Sequence, residues 1–474
     1  MGLNALPNEL LLEVCRYLSG DPASLSALAR VSRKIQPCAF EVLMNNCTID
    51  LSSGDTQIIH NVMAHLFSLA HNVTVPPPNV AIESTGSLLV DDLVKHASKF
   101  KTLKLCVADR HGITSTVSGP VLTKYMSAVQ VLERATMYGA KSWKSKFTRG
   151  KMEDLLRFLL RVTRHIYTLE MESSLYWMGQ TEMKGMCPAL HTLKLVGITN
   201  KSLSRNCCYF VRLPTLRQLE FARMSLTHST LLFLGTQLYV TTLRFVDCWV
   251  ATMTLGKAIR ACRTLETFEY SLSAEHCPQL NLTVHQYSLY DLISVLATNH
   301  KDTLKHLTIL DLDAQVGDLC HEPDALSQFT VLKTLAINHD HLHPRRVDNA
   351  HATCSCYRLA YITPATVLLS LPPSLQKLEL QVCNKTFITG TLLDVLQNMQ
   401  TAGALPNLCT VKTVFERTRA PPSDEERQVL RFLRHSLNGR GRSRAMQDAA
   451  LRVPRVQLVQ VEPALVPQLR PSKI

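Results

Sequence analysis

The sequence predicts an α/β chain in which a short helical segment at the N-terminus precedes a long solenoid of strand–helix repeats. Two observations carry this prediction. Apolar residues near the N-terminus recur at helical spacing, and from about residue 100 onward an apolar-x-x-apolar-x-apolar unit recurs along the chain. Successive units of this kind cannot bury an apolar face alone, so they stack and place a parallel sheet on the concave face.

The first predicted helix lies in the stretch from Leu6 to Leu18. Apolar residues occupy two faces of this segment, which therefore should pack on both sides: against the next helix, and against another protein. These apolar positions are Leu6, Leu10, Leu11, Val14, Tyr17 and Leu18.

A second helix should begin at Pro22, with Asp21 as its N-cap. Its apolar residues are Leu25, Leu28, Val31 and Ile35. The order and spacing of these apolar residues, with Glu9 in the first helix and Ser32-Arg33 after the second, resemble an F-box over residues 3–45. The chain departs from the family where many members have Cys before Arg33 and Trp after it, since Ser32 and Lys34 stand there.

The F-box resemblance implies docking on the small Skp adaptor of a cullin ubiquitin ligase. An ordinary helical hairpin at the start of a repeat array is the alternative. The residues that the resemblance assigns to adaptor binding within a domain of residues 1–47 are Leu6, Pro7, Leu10, Leu11, Val14, Leu25, Leu28 and Val31.

Residues 48–98 form a predicted linker or capping segment. A helical apolar stripe runs from Ile58 to Leu69, and Pro76-Pro77-Pro78 excludes a helix or central strand at that point.

The recurrent unit predicts strands across residues 99–461. Its period is 24 to 26 residues between the central leucines of the middle units, and this resembles a degenerate leucine-rich repeat array of the fungal F-box type. Cys248 and Cys383 fill the position that Asn or Cys usually takes after the strand, whereas Ile198, Met224 and Leu312 do not. A generic α/β protein is the alternative. The central and last apolar residues of the units are Leu103/Leu105, Leu169/Met171, Leu193/Leu195, Leu219/Phe221, Leu243/Phe245, Phe268/Tyr270, Leu307/Ile309, Leu335/Ile337, Leu378/Leu380, Val411/Thr413 and Val459/Val461.

Apolar stripes between these units predict repeat helices. They run over 155–160, 231–238, 289–296 and 392–399, and a capping box at Ser423 to Glu426 opens a last helix before a basic loop at 439–444. Residues 462–474 are a predicted C-terminal tail, in which Pro467 to Ile474 should be disordered.

Residues on either side of the central leucine of each strand should point away from the core and line the concave face. Charges there alternate in sign between repeats. They either select a substrate protein or form pairs between strands that only solvate the sheet. The candidate substrate-binding residues are Lys194, Glu220, Arg244, Glu269, Thr308 and Glu379.

Motifs for catalysis and cofactor binding do not occur: there is no nucleophile elbow, phosphate loop or dinucleotide fingerprint. His339, His341 and His343 with Cys354 and Cys356 have metal-binding side chains, but their spacing fits zinc poorly, so an insertion loop is preferred over a metal site. The expectation is no catalytic residue, no cofactor and no metal.

Composition limits the remaining classes. The 474 residues carry a net charge of +13, but the basic residues are not gathered in a tract with aromatics, which makes nucleic acid an unfavoured partner. The fifteen cysteines indicate reduced thiols, and neither a membrane span nor a leader is expected. The sequence thus favours a non-catalytic substrate receptor of a cullin ligase, in the cytoplasm or nucleus, over a scaffold that binds only the Skp adaptor or an enzyme with an unrecognised site.

Overall fold

The computed structural model describes residues 3–19, 21–50, 101–106, 160, 163, 165–172, 186–197, 208–226, 237–250, 252–272, 289–311, 323–338, 370–383, 405–415 and 457–460. The chain divides into two compact units. The first comprises Met1–Ser225 with Ser229–Tyr239, and the second comprises Leu226–His228 with Val240–Ile474.

Three helices open the first unit. After a 3₁₀ turn at Leu3–Ala5, they are α1 (Asn8–Tyr17), α2 (Pro22–Val31) and α3 (Gln36–Asn45). The predicted start of α2 is confirmed, because the Asp21 side chain accepts a hydrogen bond from the Ser24 amide at 3.1 Å and Pro22 is the first helical residue.

The three helices share an apolar core. Its buried members lie on α1, on α2, at the residue just before α3, and on α3 itself. They are Leu11, Cys15, Leu25, Ala29, Ile35, Ala39 and Val42.

Five parallel strands follow in the first unit: β1 (Asn46–Asp50), β2 (Thr102–Cys106), β3 (Thr168–Glu172), β4 (Thr192–Val196) and β5 (Gln218–Ala222). Each pairs with the next in sequence, without a register shift. A short helix, α4 (Cys208–Val211), precedes β5, and a two-residue strand, β6 (Ser225–Leu226), follows it.

The sheet begins earlier than the sequence predicted. Strand β1 includes residues 48–50, which were assigned to the linker, and it pairs with β2 over its whole length. The remainder of the predicted linker, with its helical stripe and its three prolines, lies outside the described residues.

The second unit contains seven further parallel strands in the order β7-β9-β10-β11-β12-β13-β14. Their bounds are β7 (Thr242–Val246), β9 (Thr267–Leu272), β10 (His306–Asp311), β11 (Thr334–Asn338), β12 (Lys377–Cys383), β13 (Thr410–Phe415) and β14 (Gln457–Gln460). The other elements are β8 (Trp249–Val250), α5 (Thr252–Ala261), α6 (Leu289–His300) and a 3₁₀ turn at Pro323–Gln328.

The predicted apolar positions form the core beneath these strands. In β3, β7 and β9 buried and half-buried residues alternate strictly, as expected for a sheet with one face against the core. The first apolar residue of the repeat motif, which precedes the strand, is also buried in the described strands, for example Leu190, Leu265 and Leu332. Thr413 takes the place of the last leucine, and it too is buried.

The last predicted unit was wrong by one residue. Val411 of β13 pairs with Leu458 of β14, and Val459 pairs with Lys412. Because side chains alternate along a strand, a shift of one residue exchanges the two faces. Leu458, and not Val459, therefore holds the central apolar position of this unit.

Only some of the predicted helices fall on described residues. Helix α6 confirms the stripe at 289–296, with Leu289, Leu292, Ile293 and Leu296 all buried. The stripe at 392–399, the helix after Ser423, the basic loop and the tail lie outside the described residues, as do most of the stripes at 155–160 and 231–238. Helix α5 was not predicted.

Three strands end in the same backbone conformation. Gly197, Arg223 and Asp247 directly follow β4, β5 and β7, and their φ angles are +61°, +53° and +52°. A left-handed residue turns the chain out of the sheet, and glycine adopts it without strain whereas arginine does not. The repeated turn shows that these units share a backbone design beyond their apolar spacing.

Candidate functional sites

Helix α1 presents an apolar stripe to solvent. Leu10 and Tyr17 are seven residues apart, hence on one face of the helix, and their exposed fractions are 51% and 92%. Val14, between them, is half-buried. The neighbouring stripe of Leu11 and Cys15 is buried in the core. The two apolar faces expected from the sequence are thus separated into one packed face and one open face.

The end of α2 adds a further exposed apolar residue. Val31 is the last helical residue and is 74% exposed. Leu28, one turn earlier, is half-buried, and Leu25 is buried. Leu10, Tyr17 and Val31 are thus large apolar side chains that the three helices leave exposed.

The predicted adaptor-binding residues therefore fall into three groups. Pro7, Leu10 and Val31 are exposed, and Leu6, Val14 and Leu28 are half-buried. Leu11 and Leu25 are each only 1% exposed, so they act in the core of the helices and not on an accessible surface. Two exposed residues were absent from the predicted set, Tyr17 and Leu3. The spacing of seven residues from Leu10 was the signal that could have identified Tyr17.

Polar contacts hold the start of α1 in place. The Lys34 ammonium donates a hydrogen bond to the Leu6 carbonyl at 2.8 Å, and the Cys38 thiol lies 3.7 Å from the Asn8 carbonyl. Burial, with a smaller effect from Cys38, raises the pKa of the Cys15 thiol, so that this thiol stays protonated. The hydrogen bond from Lys34 and the contact with Cys38 of α3 thus attach the start of α1 to the following part of the helical domain.

In the first unit, the outward face of the sheet carries a row of alternating charge. Lys104, Glu170, Lys194 and Glu220 stand in register on four neighbouring strands. The carboxylate of Glu170 lies 2.9 Å from the Lys104 ammonium, and that of Glu220 lies 3.1 Å from the Lys194 ammonium. Two of the candidate substrate-binding residues thus form an ion pair with each other.

The second unit repeats this arrangement. Arg244 and Glu269 lie in register, with Nε and Oε2 3.2 Å apart. Thr308 and Ala336 continue the row without charge. Glu379 then receives hydrogen bonds from the Lys412 ammonium at 2.8 Å and from the Gln381 amide at 3.2 Å. Burial opposes ionisation of Glu379, but these two donors outweigh it and lower the pKa of the carboxyl.

These pairs account for the alternating signs seen in the sequence. Half-exposed ion pairs of this kind contribute about 0–1 kcal/mol each. They are what the solvating interpretation expects, and they also leave a patterned polar surface that a partner could recognise. The assignment of Lys194, Glu220, Arg244, Glu269, Thr308 and Glu379 to substrate binding stays a prediction.

The described part of the chain offers few side chains that could form a metal or redox site. Among those residues no group of His, Cys, Asp or Glu could hold a metal ion. The cluster from His339 to Cys356 lies outside them. Free thiols are found at Cys15, Cys38, Cys187, Cys248, Cys262 and Cys409, and burial raises the pKa of Cys187 and of Cys262 to about 12. No helix in the described ranges is long and apolar enough to cross a membrane.

Comparison with known proteins identifies the N-terminal helices. Residues 3–46 match the model of the F-box-like family, a span that begins at the 3₁₀ turn and ends with α3. None of the curated proteins searched matches the chain. The chain thus contains an F-box-like domain, followed by α/β units built on parallel strands.

Proposed function

We propose that this protein is the substrate receptor of an SCF-type cullin ubiquitin ligase. Its F-box-like domain docks on a Skp-family adaptor, and the adaptor connects it to the cullin. The strands belong to a degenerate leucine-rich repeat solenoid of the fungal F-box type, which holds a substrate protein. The receptor itself is not an enzyme, needs no cofactor, and acts in the cytoplasm or nucleus.

The observation that carries the docking half of the proposal is the open face of the F-box-like domain. Leu10, Tyr17 and Val31 are exposed, whereas seven other apolar residues of this domain form a buried core. Burying a leucine or aromatic side chain at an interface yields about 1.5–3 kcal/mol of transfer free energy. Such anchors are typical of the few residues that dominate an interface.

Support for the repeat half comes from the regularity of the strands. The strands from β3 to β12 bury the three apolar positions of the motif, and three strands end in the same left-handed turn. Stacked units of this kind present one sheet face to solvent, where a substrate can bind near the conjugating enzyme. The ligase would then act through proximity, by raising the effective concentration of the substrate at an active site on another subunit.

The docking proposal is tested by co-purification of the Skp adaptor with surface variants. Leu10→Ala combined with Tyr17→Ala should reduce adaptor recovery at least tenfold, since about 1–2 kcal/mol is lost at each position. Met253→Ala is the matched control, because Met253 is 67% exposed on α5 in the other unit. Equal adaptor recovery by the double variant and the control would exclude this face as the docking surface.

The alternative function is a scaffold that binds the Skp adaptor without directing ubiquitination. Recovery of the cullin together with the adaptor distinguishes the two. A receptor recovers both in similar amounts, whereas a scaffold recovers the adaptor alone.

A further inference from the structure

A cluster of cations lies on the second unit where strands β10, β11 and β12 begin. Lys305 and Lys333 each directly precede a strand, and the Lys333 amide donates a hydrogen bond to the Lys305 carbonyl at 2.8 Å. In the next register position His306, Thr334 and Lys377 lie side by side. We call these five residues the strand-start patch.

The charges of this patch are arranged differently from those of the rest of the sheet. The ion pairs of the sheet face join opposite signs on neighbouring strands, as in Arg244–Glu269 and Lys412–Glu379. In the patch two lysines stand on adjacent strands, a spacing of about 4.8 Å. Like charges opposite each other destabilise a sheet. An anion that reaches the patch would offset this repulsion.

Carboxylates of the described residues neutralise only part of this charge. Glu266 contacts the Lys305 ammonium at 2.9 Å, and Glu379 lies 3.5 Å from the Lys377 ammonium while also holding Lys412 more closely. Among the described residues Lys333 has no carboxylate partner, and its side chain is exposed. On its other side the residue in register with Lys333 is Gln376, whose amide donates a hydrogen bond to the Lys333 carbonyl at 2.9 Å, so an anion at Lys333 would have the cation Lys305 on one side.

His306 adds an imidazole that can take up a proton, and so become positively charged, when an anion binds nearby. Its ring Nδ1 lies 3.1 Å from the Thr334 hydroxyl, and the side chain is exposed at the surface. Burial of part of the ring, then Lys333 and then Lys305, lower the pKa of His306, while Glu266 opposes them. The imidazole is consequently neutral near pH 7. A bound anion would offset the two ammonium groups and favour the protonated ring.

We infer that the strand-start patch binds an acidic, carboxylate-bearing segment of the substrate protein. The inference rests on the proposed role of the repeat units in holding a substrate, and charge complementarity defines the occupant. Carboxylates would contact Lys333 first, with Lys305 beside it at the start of β10, and with the Thr334 hydroxyl and the Lys377 ammonium as donors in the next register position. Binding would be coupled to proton uptake by His306, so the affinity should increase as the pH falls through the usual range of histidine.

The test uses the full chain and a fluorescein-labelled poly-glutamate peptide, with anisotropy as the readout. Lys333→Glu should weaken peptide binding about tenfold and Lys333→Met about threefold. Lys257→Glu is the control, because Lys257 is exposed on α5 and the charge change is the same. Circular dichroism establishes that each variant is folded.

The pH dependence gives a second readout. Lowering the pH from about 7.5 to about 6 should strengthen peptide binding in the unaltered chain, and His306→Gln should remove that increase. Equal weakening by Lys333→Glu and Lys257→Glu, or an unchanged affinity in Lys333→Glu, would overturn the patch. Adaptor co-purification is measured on the same samples, so that failure of the patch is distinguishable from failure of the receptor proposal.

Discussion

Truncation of two neighbouring leucines of α1 should have different effects: one truncation should impair folding, and the other should impair adaptor binding. Leu11 is 1% exposed and packs among the core residues of the three helices, whereas Leu10 is 51% exposed on the open face. Removing a buried leucine side chain costs about 2–5 kcal/mol, because transfer free energy is lost and a cavity remains. A domain of this size is stable by only a few kcal/mol, about 5 at most. In the Leu11→Ala variant, the F-box-like domain should therefore be unfolded in a large fraction of the molecules.

Leu10→Ala should leave the domain folded. Half of the Leu10 side chain is already in water, so its truncation costs at most about 1 kcal/mol of folding free energy. The same truncation removes an anchor from the docking surface, and adaptor affinity should fall about fivefold to twentyfold. Stability and binding are thus separated at consecutive positions.

Hydrogen-exchange mass spectrometry of residues 3–46, combined with adaptor pull-down, distinguishes the two effects. We expect fast exchange across α1–α3 in Leu11→Ala, and native exchange with weak adaptor recovery in Leu10→Ala. Native exchange in Leu11→Ala, or full adaptor recovery by Leu10→Ala, would refute the division of α1 into a core face and a docking face.

Three further results are expected. Asp21→Ala removes the side-chain cap of α2 and should destabilise the F-box-like domain by about 1 kcal/mol in urea unfolding, whereas Asp21→Asn should retain most of the stability; equal loss in both variants would contradict the capping role. Peptide mapping after iodoacetamide treatment should show rapid labelling of exposed Cys409 and very slow labelling of Cys187 and Cys262, whose pKa of about 12 and burial keep them as inaccessible thiols; comparable rates would disprove the packing around them. His300 donates a hydrogen bond from Nε2 to the Ile259 carbonyl at 3.0 Å, and burial, opposed by this bond, lowers the pKa of His300. Because the unfolded chain then binds a proton more tightly than the folded chain, the free energy of unfolding should fall as the pH drops below about 6.5. His300→Gln should flatten this decrease while Lys301→Met keeps it, and parallel pH profiles of thermal unfolding for all three chains would exclude His300 as a source of the effect.

The sequence predicted the first two helices of the F-box-like domain and most strands because both depend on local periodicity, whereas α3 was not predicted. Asp21 followed by Pro22 is sufficient to define the start of α2, and the apolar triplets of β3 to β12 are buried as expected. The prediction for β14 was wrong by one residue because Val456, Leu458, Val459 and Val461 fit two alternating patterns of inward-facing residues. Only the pairing with β13 selects one of these patterns. Strand β1 was missed because its motif is not followed by a repeat for about fifty residues.

The candidate sites were harder to predict, since burial and pairing depend on the tertiary structure. Helical spacing indicated two apolar faces of α1 but not which one packs, so Leu11 was grouped with Leu10. Alternating charges along the strands were visible, but only the register shows that Lys194 pairs with Glu220. The strand-start patch has no sequence motif, because Lys305 and Lys333 become neighbours only through the sheet.

Reconstitution with purified Skp adaptor and cullin tests the central claim most directly. The full chain, mixed with both proteins, should elute from a sizing column as one ternary complex. The variant with Leu10→Ala and Tyr17→Ala should elute apart from the adaptor–cullin complex, while Met253→Ala should behave as the unaltered chain. Elution of the unaltered chain away from both proteins, or co-elution of the double variant with them, would contradict the account.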